Sequence, residues 1–91
     1  MHVLCGIGGS DDSLRALEQT VERASVAGDD LTIGVVENPN AEIAVEEVIR
    51  RAEAAIAEAG IDATVRRIDG DPGSRLVDIA EQEGFDRIVL G

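Results

Sequence analysis

A glycine-rich run, Gly6-Ile7-Gly8-Gly9-Ser10, leads directly into two carboxylates, Asp11 and Asp12. Glycines between a strand and a helix leave backbone amides open at the positive end of the helix dipole, which is the setting that holds phosphate. A dinucleotide fingerprint counted from Gly6 and Gly8 needs glycine at position 11, where Asp11 stands. Two carboxylates in a first helical turn satisfy the dipole themselves and oppose a pyrophosphate. The run therefore reads first as a structural turn with acidic caps, with phosphate binding as the alternative.

Other chemistry is sparse. Asp11, Asp12, Asp69 and Asp71 all fall where strands would end, and four carboxylates there suit magnesium; capping explains them with fewer assumptions, so no metal site is expected. A P-loop is excluded because all eight bases are arginine and lysine is absent. His2 is the only histidine, so hydrolytic triads are restricted to it, and no nucleophile elbow accompanies it. Arg50, Arg51, Arg66 and Arg67 read as surface balance for nearby acids. No catalytic residue is assigned, and the expectation is a protein that is not an enzyme.

The elements that must position these residues follow from apolar spacing. Residues 2–7 form a short apolar run ending in glycines, a strand. Leu14, Leu17, Val21 and Ala24 recur at three and four, an amphipathic helix capped by Ser10 or Asp11 and ended by Gly28. A second strand spans 31–36. Asn38-Pro39-Asn40 then offers a cap and first-turn proline for a helix carrying Val45, Val48, Ile49, Ala52 and Ile56, closed by Gly60. The third strand, 63–68, carries Arg66 and Arg67 on opposite faces, as at a sheet edge. Asp71-Pro72 starts a third helix through Leu76, Val77 and Ala80, ended by Gly84, and residues 86–90 form the last strand.

This alternation predicts an α/β fold in three layers: one domain over residues 1–91, with three helices and a parallel sheet of four strands in the order 3-2-1-4. The topological switch, where ligands bind in such sheets, falls between strands one and four. Ile88-Val89-Leu90 is apolar without a break, the pattern of a strand buried on both faces, so a partner chain or further polypeptide is expected to shield it.

Composition narrows the function classes. A formal charge of −11 repels nucleic acid and anionic membrane surfaces alike. Phe85 is the only aromatic residue, which disfavours base-stacking modules. Acids spread over all the helices with arginine as the only base resemble a salt-adapted surface, whose self-repulsion salt screens. The single cysteine, Cys5, lies in an apolar run as a small core residue, and a cytoplasmic location is expected.

Val3-Leu4-Cys5-Gly6-Ile7-Gly8-Gly9-Ser10 with Leu14-Arg15-Ala16-Leu17, then Val35-Val36-Glu37-Asn38-Pro39, then Gly70-Asp71-Pro72, then Gly84 through Gly91, together resemble the universal stress protein family across the whole chain. The resemblance implies that family's fold, of the adenine-nucleotide α-hydrolase-like type with five parallel strands, a homodimeric habit and, in many members, ATP binding without robust catalysis. It implies nucleotide contacts at Ile7 and Gly8, at Val35, and at Leu90 and Gly91. The family's ATP-binding members carry aspartate where Gly8 stands, and their phosphate loop would begin at Gly91, the last residue here. On that resemblance the fourth helix, fifth strand and phosphate loop are missing, and pairing through strand four is expected. Two functions follow. The first is a stress-response module acting by self-association or partner binding, with no obligatory cofactor. The second is an adenine-nucleotide protein, for ATP or AMP, whose site between strands one and four is completed by a partner chain.

Overall fold

The computed structural model describes residues 1–37, 40–69 and 72–90. Strand and helix alternate as β1 His2–Ile7, α1 Asp11–Ala27, β2 Asp30–Val36, α2 Val45–Ala59, β3 Ala63–Ile68, α3 Pro72–Glu83 and β4 Arg87–Leu90. All three strand pairings are parallel and the order is β3-β2-β1-β4. The three-layer α/β fold read from the sequence is the fold observed.

Side chains of β1 point alternately into two cores. Val3, Cys5 and Ile7 join Leu14, Leu17 and Val21 of α1 and Val48 and Ala52 of α2 on one face. Leu4 joins Leu76, Ile79 and Ala80 of α3 on the other, with Ile68 of β3. Gly6 and Gly34 are register partners on that second face. A Cβ on Gly6 would lie 2.5 Å from a methyl of Leu76, and one on Gly34 3.4 Å from another. The paired glycines thus form a flat seat for Leu76, whose burial contributes about 1.5–3 kcal/mol.

The helix ends have local causes. Ser10 caps α1 by accepting a hydrogen bond from the Ser13 N–H, and Gly28 and Gly60 end α1 and α2 at φ of 73° and 68°, a region where a side chain is strained. The expected start of α2 is corrected. The helix begins at Val45 behind Ala44, which gives no side-chain cap, because residues 41–44 instead cross over the β1–α1 turn. Of the proposed cap, Asn38 and Pro39 lie outside the described residues, as does Asp71 for α3.

Within this chain the last strand lies at the margin of the sheet. β4 borders the sheet, and Ile88 and Leu90 are 37% and 70% exposed. They are the partners of Leu4 and Gly6, so they face the α3 layer, where among the described residues α3 is the single covering helix. Apolar sequence is therefore not burial within this chain. β3 is the other border, and its arginines point to opposite faces as expected: Arg66 to Glu83 of α3, Arg67 to Glu37 and Glu46.

Candidate functional site

The C-terminal ends of β1, β2 and β4 converge at the switch point. Ile7 and Val35 are direct partners, and Leu90 pairs with Gly6, one residue before Ile7. Ile7, Gly8, Val35 and Leu90, the positions implied by the family resemblance, are thus neighbours; Gly91 lies outside the described residues. Their side chains do not share one surface. Those of Ile7 and Val35 are sealed in the α1–α2 core, so only their backbone reaches the edge, whereas Leu90 projects on the α3 face beside Gly6. Clefts of about 630, 230 and 410 Å³ are lined elsewhere, without Ile7, Gly8 or Val35. The 230 Å³ cleft lies between α1 and β4, with Val89 and Leu90 in its wall.

The glycine turn is closed by the chain itself. Gly8 N–H donates to Ser13 Oγ at 3.2 Å, Ser13 N–H to Ser10 Oγ at 3.2 Å, and Leu14 N–H to the Ser10 carbonyl at 3.1 Å. Ser13 is 4% exposed, and sequence reasoning passed over it; its position three residues after the capping serine was the available signal. Ile43 closes the turn from above. Its N–H donates to the Gly9 carbonyl at 3.1 Å, and its own carbonyl occupies the space a Cβ on Gly9 would need. Asp11 and Asp12 stand exposed in the first turn of α1, and Arg15 lies 3.9 Å from Asp12.

A charged cluster at the rim of β2 and β3 was not singled out as a unit from the sequence. Arg67 Nη2 donates to Glu37 Oε1 at 2.7 Å and lies 3.8 Å from Glu46. Arg67, with a hydrogen bond from Asp69 as the second cause, holds the Glu37 carboxyl below its ordinary range. The same contact with Glu37, and then its charge, pushes the Asp69 carboxyl up. Asp69 therefore turns to Glu37 and Asp12 to Arg15, and among the described residues no three acidic, histidine or cysteine groups gather as a metal site. His2 lies at the opposite end of the sheet, with Nε2 3.2 Å from Asp30. Burial raises the Cys5 thiol, against a smaller opposing effect from Thr20, which leaves it a neutral core group. No helix is long and apolar enough among the described residues to cross a membrane.

Comparison with known proteins agrees with this geometry. The family model for universal stress proteins matches residues 1–91. Protein Rv1636 of Mycobacterium tuberculosis H37Rv is 31% identical with a TM-score of 0.76, over 94% of this chain and 66% of that one. A universal stress protein crystallised with cAMP is 23% identical, TM-score 0.73, over 96% and 74% of the two chains. One from Burkholderia pseudomallei is 22% identical, TM-score 0.79, over 99% and 80%. The chain thus spans just under two thirds of the M. tuberculosis protein. No match is found among curated proteins.

Two measurements test the site's construction. Gly9→Ala drives a methyl into the Ile43 carbonyl and should lower unfolding free energy by about 1–3 kcal/mol, whereas Gly8→Ala, whose Cβ would sit 3.9 Å from Ser13 Oγ, should stay within about 0.5 kcal/mol in denaturant titrations. Glu37, with its folded pKa depressed, adds stability that is present above its unfolded pKa and is lost as pH falls through the folded value. Asp69, with a raised folded pKa, costs stability above that value and nothing in acid. Glu37→Gln should therefore lower the melting temperature at pH 7 and Asp69→Asn should raise it, and both differences should vanish near pH 2. Equal shifts at both pH values would contradict the cluster.

Proposed function

Because the chain belongs to the universal stress protein family, we propose that it works as a binding module in stress response, without catalysis, and that it associates with a second copy through β4. The carrying observation is the border strand Arg87–Leu90, which leaves two large apolar side chains exposed beside an open row of backbone donors and acceptors. An open apolar edge is a template for pairing. Two β4 edges related by a two-fold axis would pair antiparallel, each presenting the same patch to the other. The remoteness of His2 from the switch point and the neutral, buried Cys5 support the non-catalytic part of the reading. Light scattering at micromolar concentrations should give a dimer or larger mass, and Leu90→Lys should shift it to monomer. A sharp monomer mass throughout the range rejects association.

A second reading is favoured by the cAMP complex among the structural neighbours and by the convergence of Ile7, Gly8, Val35 and Leu90. In it the crevice between β1 and β4 holds an adenine nucleotide, with a partner chain completing the site. Micromolar heat on titration with cAMP in high salt sustains this reading; silence removes it.

A further inference from the structure

In a chain of formal charge −11, the border along β4 is apolar on one face and cationic on the other. Ile88 and Leu90 stand exposed on the α3 face, beside Leu4 and Gly6. Exposed Val77 leans the same way, since neighbours on a helix lie about 100° apart. Leu76 faces the sheet and Arg75, on its other flank, acts on Asp69 at the end of β3, so Val77 turns toward β4. On the opposite face, the 230 Å³ cleft carries Arg23 and Arg87 in its wall, and neither has an ion pair among the described residues. The neighbouring acids are held by the chain itself, Asp29 by the Met1 amino group at 3.6 Å and Asp86 by the His2 N–H at 2.8 Å. An apolar strip backed by unpaired cations suits an acidic partner that carries the same strip, and a second copy of this chain is such a partner.

We propose that two copies join β4 to β4 in a single register, with Ile88 of each opposite Leu90 of the other and Val89 on the two-fold axis, and that Val77 of each α3 closes over these pairs. This deepens the association reading above and rests on it. A two-fold axis that sets border strands antiparallel stands normal to the sheet, so both α3 layers lie on the same side and residues opposite each other must share a face. A slip of one residue breaks that rule, so the axis passes through a residue and not between two. Centred on Arg87, the pairing opposes two like charges. Centred on Ile88, it sets Leu90 against the Asp86 carboxylate, and centred on Leu90 it leaves Ile88 facing no described residue. Centred on Val89, it places aliphatic against aliphatic at both exposed positions, where Leu90 is 70% open to solvent.

Disulfide trapping in the full chain reads the register, because directly opposed residues bring their Cβ atoms to about 4.5–5.5 Å, near disulfide spacing, and diagonal ones do not. With circular dichroism showing each variant folded, an equimolar mixture of Ile88→Cys and Leu90→Cys chains should cross-link under mild oxidant at least about tenfold faster than either variant alone. Buried Cys5 takes no part. Val77→Lys should weaken the dimer at least about tenfold by sedimentation, with helix content unchanged. Fast trapping of one variant by itself, or a chain that dimerises with no preference for the mixture, overturns the register and leaves association through β4 standing. A dimer indifferent to Val77→Lys overturns the part assigned to α3. An unaltered chain that stays monomeric overturns the register and the association reading together.

Discussion

One strand carries the molecule. β1 is paired on both sides, with β2 over six residues and with β4 over four, and it fills cores on both faces, so Leu4 and Cys5 have no exposure at all. Such a strand cannot carry a polar side chain without leaving it unpaired in a dry layer. It also cannot carry bulk everywhere. The α3 layer comes close enough for Leu76 to rest on Gly6 and Gly34, and the sheet has to be bare at that point for the helix to seat. The α1–α2 layer takes the opposite solution, filling its space with branched side chains at Val3, Ile7, Ile33 and Val35.

From β1 the chain leaves through a turn that structural needs already occupy. Ser13 serves the Gly8 amide, Ser10 serves Ser13, and the crossing at Ile43 clamps Gly9. These contacts hold the turn shut and engage the Gly8 and Ser13 amides. The neighbouring rim is governed by a sharing of charge, with Arg67 favouring the ionised Glu37 and Glu37 in turn disfavouring ionised Asp69. The two carboxyls belong to one unit in which Glu37 takes the Arg67 hydrogen bond and the attraction of Arg67 and Arg75 does not offset the effect of Glu37 on Asp69.

Much of this was legible along the chain because it is local. The apolar spacing of Leu14, Leu17, Val21 and Ala24 gave α1 its buried face, Ser10 and Gly28 its limits, and the pair Arg66 and Arg67 marked β3 as a border with charge on both sides. What misled was a signal with two causes. Asn38-Pro39-Asn40 has the chemistry of a helix start, yet α2 begins at Val45, since docking residues 41–44 on Gly9 took precedence over local capping. Ile88-Val89-Leu90 has the composition of an interior strand, yet composition reports what a strand tolerates beside it and not what the chain places there.

The order of the amino acids by itself determined the alternation of elements, the parallel sheet and the strand order, because right-handed crossovers leave few alternatives once strands and helices are known. Tertiary structure alone decided that Ile7 and Val35 offer backbone and not side chain, that Ile43 clamps the glycine turn at Gly9, and that Glu37, Arg67 and Asp69 form one charged unit. Each of these depends on register and on which residues lie across a layer, distances of a few ångströms between segments far apart in the chain, which spacing along the polypeptide does not encode.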